Sequence, residues 1–180
     1  DGGRDSYPIH FNERLMEEIY FPAFKEAVQV GKARSLMISY NSYDGTPCTA
    51  NSWLLNEKLK EEWGFNGFVI SDAGAIGGAN VLHFTTSSYG QSTKEAIEGG
   101  LDVIFQTAYS HFELFFQAVE DGLIDENTID DALRRVLRIK FELGLFENPY
   151  VDEEEAAKWN NCELHREIAK KAAQESIVLL

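Results

Sequence analysis

The chain has 180 residues, 44% of them hydrophobic and 12% aromatic, a composition that fits a packed globular domain and excludes a disordered one. Its 16 Lys and Arg against 30 Asp and Glu leave a net charge of −14. This argues against a nucleic-acid or anionic-membrane partner, because both demand basic patches. No apolar run reaches the ~18 residues of a membrane-spanning helix, and Cys48 and Cys162 show neither zinc-finger spacing nor a disulfide framework, so they are free or paired.

In chain order, Asn12 is a favoured cap for a helix running to about Val30, with Leu15, Ile19, Phe21 and Val28 broadly on one side. Pro22 is expected to kink or divide that helix, and Gly31 to end it. Ser35 to Asn41 reads as a strand, and Asp44-Gly45-Thr46-Pro47 as a turn. A second helix is expected from about Asn51 to Trp63, with Leu54, Leu55, Leu59 and Trp63 at helical spacing and Gly64 as its stop. After a strand ending at Asp72 comes a long Gly-, Ser- and Thr-rich loop from Gly74 to Gln91, a length often reserved for function. A short helix from Thr93 to Glu98 follows, then a strand from Leu101 to Phe105. Ser110 with Glu113 matches a capping box for a helix closed by Gly122. Asp125 can cap another, striped with Ile129, Leu133, Val136, Leu137 and Phe141 and ending at Gly144. Helices alternating with strands on short links argue a parallel sheet with helices packed outside it.

From Asn148-Pro149-Tyr150 the character changes. The acidic run Asp152 to Glu155 reads as a solvated linker face, followed by a helix from about Glu163 to Glu175 and an apolar strand start at Ile177 to Leu180. The expected organisation is the back part of a larger α/β barrel or sheet over 1–147, a linker over 148–162, and the entry to a second domain over 163–180. Three strands are too few to close a parallel-sheet domain, so both ends are expected to lie inside a longer polypeptide.

The stretch around which the rest is organised is Gly64 to Ile76, GFNGFVISDAGAI. Its apolar β-branched centre reads as a strand buried on both faces. Asp72 stands at the carboxyl end, the edge where α/β folds gather their chemistry. Asp is equally a favoured helix cap, so residue type alone leaves both roles open.

Several motifs stand together in one order. They are Ser39-Tyr40-Asn41 with Asp44-Gly45-Thr46-Pro47, Ala50-Asn51-Ser52-Trp53-Leu54-Leu55, Glu62-Trp63-Gly64-Phe65, and Gly67-Phe68-Val69-Ile70-Ser71-Asp72. Gly99-Gly100-Leu101-Asp102, Arg134-Arg135-Val136-Leu137, Leu143-Gly144-Leu145-Phe146 and Ala169 to Leu180 follow. This series resembles the β-glucosidases and β-xylosidases of glycoside hydrolase family 3. The resemblance implies the last βα units of a TIM-type barrel leading into an α/β sandwich domain. It also implies a retaining, exo-acting β-glycosidase working on an oligosaccharide or glycoside, with glucose the first sugar to test and xylose or arabinose the alternatives. It matches Asp72 to the family nucleophile and sets the Tyr40 hydroxyl beside that carboxylate or the sugar ring oxygen. The general acid/base would come from beyond Leu180, the remaining contacts from other barrel strands of the same enzyme, and the location would be secreted or periplasmic.

Arg4, following Gly2-Gly3 in a loop, is a candidate sugar contact or a surface ion pair. His83, Tyr89 and Asn80 in the long loop are candidate replacements for the Trp that many family glucosidases carry after the nucleophile, where this chain has Ala73. His10, His111 and His165 have no metal-ligand spacing, and Gly74, Gly77 and Gly78 only weakly echo a phosphate loop, so neither metal nor cofactor is expected. Asp102 opens its strand and so lies at the wrong edge for catalysis. The alternative class is a non-catalytic carbohydrate-binding α/β module in which Asp72 only caps a helix or holds a sugar hydroxyl.

Overall fold

The computed structural model describes residues 6–106 and 112–179, and the chain divides into two compact units, Asp1–Glu142 and Leu143–Leu180. In the first, Asn12 caps a helical run, α1 (residues 13–29), by accepting from the Leu15 N–H at 2.9 Å. The run is not uniform. Met16–Tyr20 is π-bonded, with Phe21 N–H reaching back to the Met16 carbonyl, before regular helix resumes over Phe21–Gln29. Pro22 has no N–H for the ladder, and the wide turn before it absorbs that break. The run ends at Gln29, two residues before Gly31, and the left-handed residue that follows is Lys32 (φ 54°), not the glycine. Gly31 has no room for a side chain, because a Cβ would lie 2.8 Å from the Ala27 carbonyl oxygen.

Strand β1 (Ser35–Ile38) is followed by a tight hairpin of β2 (Ser42–Tyr43) and β3 (Thr46–Pro47). Asp44 and Gly45, both at positive φ (49° and 87°), make its turn, the geometry that matches strand twist in two-residue hairpins. Helix α2 (Trp53–Glu62) is π-bonded and closes with the Trp63 N–H on the Lys58 carbonyl. Its inner face is Leu55 and Leu59, and Lys58 ties it to α1 through Glu17 (2.6 Å) and Glu13 (3.1 Å), with Glu62 of its own helix at 2.9 Å. Those three carboxylates push the Lys58 pKa up and hold the ammonium charged.

Strand β4 (Phe68–Ser71) pairs in parallel with β1, Ser35 opposite Phe68 through Ile38 opposite Ser71. The expected third strand is reduced to one parallel bridge, Val103 to Ile70. Side chains replace its ladder on either side. The Asp102 carboxylate takes the Val69 N–H (2.8 Å), and Ser71 Oγ takes the Phe105 N–H (2.9 Å). Leu36, Ile38, Val69 and Ile104 face the helices and join a core that includes Phe21, Leu55, Leu59, Trp63, Ile76 and Leu101. Fully burying each such side chain is worth about 1.5–3 kcal/mol.

The 74–91 segment is shorter on loop than its composition suggests. After a tight turn at Ala75–Gly77 comes α3 (Gly78–Val81), and Ser88 caps α4 (Tyr89–Glu98), four residues earlier than the expected helix start. Helix α5 (Glu113–Glu120) packs on α4, while Ser110 of the expected capping box lies outside the described residues. Asp125 accepts from the Asn127 N–H (2.8 Å) at the start of α6 (Glu126–Glu142), which packs on β4 and α4. In the second unit, the acidic stretch is helical. Asp152 caps α7 (Glu153–Trp159) by accepting from the Glu154 and Glu155 N–H groups, which places three Glu in the first turn where the helix dipole favours them. Helix α8 (Glu163–Ser176) follows, and residues 177–179 are not paired as a strand.

Candidate active site

Three chain segments run in parallel and end at one edge, at Ile38, Ser71 and just past Val103. There the β4 backbone departs from a regular ladder. Ser71 is 1% exposed, and its hydroxyl, not its carbonyl, receives the Phe105 N–H. The next ladder bond skips on to the Gly74 N–H, which donates to the Phe105 carbonyl at 3.3 Å. The two residues between, Asp72 and Ala73, are released from pairing and stand out at the edge. Gly74 makes the following turn at φ 73°, a left-handed conformation that favours glycine.

Asp72 is half-buried. Its Oδ1 accepts from the Ala73 N–H at 2.6 Å and its own carbonyl accepts from the Ala75 N–H at 3.1 Å, so it opens a turn rather than a helix of any length. A short side chain, one oxygen fixed by an adjacent amide and a backbone pinned on both sides give a carboxylate with little freedom. Such an arrangement can present an oxygen nucleophile or hold a polyol hydroxyl.

Tyr40 follows the end of β1, and its hydroxyl donates to the Ala73 carbonyl at 2.8 Å, one residue from Asp72. The Tyr40 carbonyl lies 2.7 Å from His83 Nε2. A carbonyl only accepts, so that ring nitrogen carries the proton. His83, Tyr40 and Ala73 thus form a chain of hydrogen bonds linking the 74–91 segment, β1 and the Asp72 turn. Arg4 lies outside the described residues.

The other loop candidates are engaged within the scaffold. Asn80 Nδ2 donates to the Thr86 carbonyl at 2.8 Å. Tyr89 packs edge-on against Phe115 at 6.0 Å, under Gly77, where an added Cβ would lie 2.6 Å from the Tyr89 ring. Sequence reasoning missed Ser71. The signal available was a small hydroxyl residue immediately before an acid at a strand's end.

An apolar cavity of about 320 Å³ lies elsewhere, between α1, β1 and α2, lined by Met16, Phe21, Phe24, Leu36, Ile38 and Trp63 among others. Sugars need convergent polar groups, and Asp72 does not line it. Asp102 is also remote from the edge chemistry. Its side chain is 0% exposed and bonded to Arg135 Nε at 2.6 Å, with Lys60 Nζ at 3.7 Å, a structural tie at the amino-side start of its segment.

Fold and site define an α/β protein that displays an acid and its supports at the carboxyl edge of a parallel sheet. The chain belongs to glycoside hydrolase family 3, since residues 1–139 match the family's N-terminal domain, described as "Glycosyl hydrolase family 3 N terminal domain". Among curated relatives, a periplasmic beta-glucosidase of Salmonella typhimurium is 32% identical over 185 residues, covering 100% of this chain and 24% of the relative. A putative beta-xylosidase of Formosa agariphila is 36% identical over 182 residues, covering 99% and 24%. A solved β-glucosidase from Erythrobacter marinus superposes with a TM-score of 0.87 at 33% identity, over 99% of this chain and 24% of that one. The chain therefore spans about a quarter of the length of these relatives.

Proposed function

We propose that this chain carries the nucleophile-bearing part of a retaining, exo-acting β-glycosidase that removes a terminal non-reducing sugar through a covalent glycosyl-Asp72 intermediate. The carrying observation is Asp72 itself. It is released from the β4 ladder by Ser71 and fixed by the Ala73 amide at the carboxyl edge of a parallel sheet. Retention takes two carboxyl groups about 5–5.5 Å apart. Asp72 attacks the anomeric carbon as the leaving-group oxygen is protonated, and water then displaces the sugar from the acylal-type ester. The proton donor and further sugar contacts come from other parts of the same polypeptide, in keeping with relatives four times as long. The three parallel segments are the last βα units of a (β/α)8 barrel in this reading, with residues 148–162 leading into a second domain. The Tyr40–Ala73 hydrogen bond holds the backbone beside the nucleophile and offers the Tyr40 ring as one wall of the sugar site.

Glucose is the first sugar to test, supported by the named β-glucosidases. A β-xylosidase or α-L-arabinofuranosidase is the second reading, favoured by the methyl group of Ala73 after the nucleophile and by the β-xylosidase relative. A periplasmic or secreted location is supported by the periplasmic relative. Among the described residues, no helix is long and apolar enough to cross a membrane.

The test is trapping with 2-deoxy-2-fluoro-β-glycosyl fluorides on the full-length enzyme, followed by peptide mass spectrometry. The expected adduct is on Asp72, and Asp72→Asn should abolish turnover with the fold intact. A label on another carboxylate sinks the assignment. No label and no hydrolysis of any aryl β-glycoside makes the binding-module reading the better one.

A further inference from the structure

Two routes of hydrogen bonds leave Asp72 and meet again at His83. Along the chain, the Asp72 carbonyl takes the Ala75 N–H (3.1 Å) at the turn that leads into α3. Helix α3 is seated in the interior, since Ile76 before it and Ala79 within it are buried. The turn beyond α3 is tied back to it. The His83 N–H donates to the Gly78 carbonyl (2.9 Å), and the Thr85 N–H (2.8 Å) and hydroxyl (3.1 Å) both reach the Ala79 carbonyl. The imidazole therefore starts from a fixed backbone.

The second route crosses the sheet edge. His83 Nε2–H donates to the Tyr40 carbonyl at 2.7 Å, and the Tyr40 hydroxyl donates to the Ala73 carbonyl at 2.8 Å. The Ala73 N–H in turn donates to Asp72 Oδ1 at 2.6 Å. Ala73 is thus gripped at both of its peptide groups, once by Tyr40 and once by the acid itself. His83, Tyr40 and Asp72 are all half-buried, and hydrogen bonds strengthen where water is partly excluded. Tyr40 lies beyond Ile38, the last paired residue of β1. Its backbone is outside the ladder, and His83 binds it to the segment that follows Asp72.

We propose that His83 is a positioning residue for the Asp72 carboxylate, acting through Tyr40 rather than by touching substrate. The inference rests on the nucleophile reading of Asp72 above. Holding the Tyr40 carbonyl sets the direction of the Tyr40 hydroxyl. Through the Ala73 peptide groups, that hydroxyl sets the line along which the carboxylate meets an anomeric carbon. A nucleophile about 1 Å out of place can lose ~10²-fold in rate, while a sugar that His83 does not touch is bound as before.

The experiment uses the full-length enzyme with 2-deoxy-2-fluoro-β-glucosyl and β-xylosyl fluorides, read as inactivation rate against reagent concentration. Fluoride leaves without a proton donor's help, so the limiting rate reports attack by Asp72 alone. His83→Ala is expected to lower that rate about tenfold, with the half-saturating concentration unchanged. His83→Gln, whose amide N–H can take over the Tyr40 carbonyl, should keep most of the wild-type rate. Tyr40→Phe deletes the link to Ala73, so adding His83→Ala to it should cost little more, the non-additivity of residues on one path. If His83→Ala does not fold, His83→Asn, polar but too short for the same reach, takes its place with the same loss expected. A change confined to the half-saturating concentration would make His83 a sugar contact and overturn the proposal. Losses that multiply in the double variant would overturn it too, as would a wild-type rate in His83→Ala or an equal loss in His83→Gln. Failure of the underlying reading shows separately, as a wild-type enzyme that neither reagent labels at Asp72.

Discussion

At the scale of single residues, the site depends on a substitution of one acceptor for another. In a regular parallel ladder the Phe105 N–H would be taken by a main-chain carbonyl, and here it is taken by Ser71 Oγ at 2.9 Å. That exchange frees the backbone after Ser71 to leave the sheet and carry Asp72 outward. Ser71→Ala strands a buried amide, a defect that costs about 1–3 kcal/mol. It also removes the restraint that sets the Asp72 backbone. On the proposed nucleophile role of Asp72, the expected outcome is a lower urea midpoint together with a fall in kcat larger than any change in KM, since a misplaced nucleophile weakens the transition state more than ground-state binding. Full activity in Ser71→Ala, whatever its stability, would show that the ladder switch does not position the acid.

At the scale of elements, the amino-side counterpart of the site is the tie among α2, α6 and the segment at Val103. Asp102 receives Arg135 Nε at 2.6 Å and the Val69 N–H at 2.8 Å. Lys60 donates to the Gly100 carbonyl at 2.5 Å and stands 3.7 Å from Asp102. Burial pulls the Lys60 pKa down to about 8, helped by the nearby Arg135 charge and opposed by Asp102. A lysine depressed in the fold holds fewer protons folded than unfolded between pH 8 and its ordinary 10.5, so stability from this group rises with pH across that window. The neutral amine still donates to Gly100. The difference in melting temperature between wild type and Lys60→Met, measured from pH 7.5 to about 10.5, should therefore shift in favour of the wild type as pH rises. A difference that stays flat would mean that Lys60 is not desolvated as the structure indicates.

The same elements show what the sequence could and could not convey. Caps were legible because they are local: Asn12 and Asp125 sit where their side chains meet the next backbone amides. The strand that ends one residue before Asp72 is legible from its apolar run and flanking glycines. Gly31 misled because the left-handed position fell on Lys32, while the glycine answered a need for space beside Ala27. The composition of residues 74–91 suggests a loop, yet its Gly and Ser residues allow close packing and capping, as at Gly77 over Tyr89 and at Ser88. The acid run after Asp152 looked solvated, and it is, but as the first turn of a helix. The sequence suggests His83 as a sugar contact. Its bond to Tyr40 spans 43 residues, and no local pattern announces such a pairing.

At the scale of the whole molecule, the first unit covers only one face of its sheet. Leu36, Ile38, Val69 and Ile104 point into the helices, while Met37 on the opposite face is 59% exposed and Phe105 is 44% exposed. Parallel sheets bury both faces almost without exception, and the relatives are four times the length of this chain. A two-step displacement with retention also needs a second carboxyl group poised across from the first. The 180-residue chain alone, expressed and compared with the full-length enzyme at equal molarity, is therefore expected to bind an apolar fluorescent dye strongly. It should also give no turnover of aryl β-glycosides above background. The full-length enzyme should exclude the dye and turn over. Hydrolysis by the isolated chain, lost in Asp72→Asn, would mean that a second carboxylate within these residues completes the site. The proton donor would then have to be sought among the acids of its own carboxyl-edge loops.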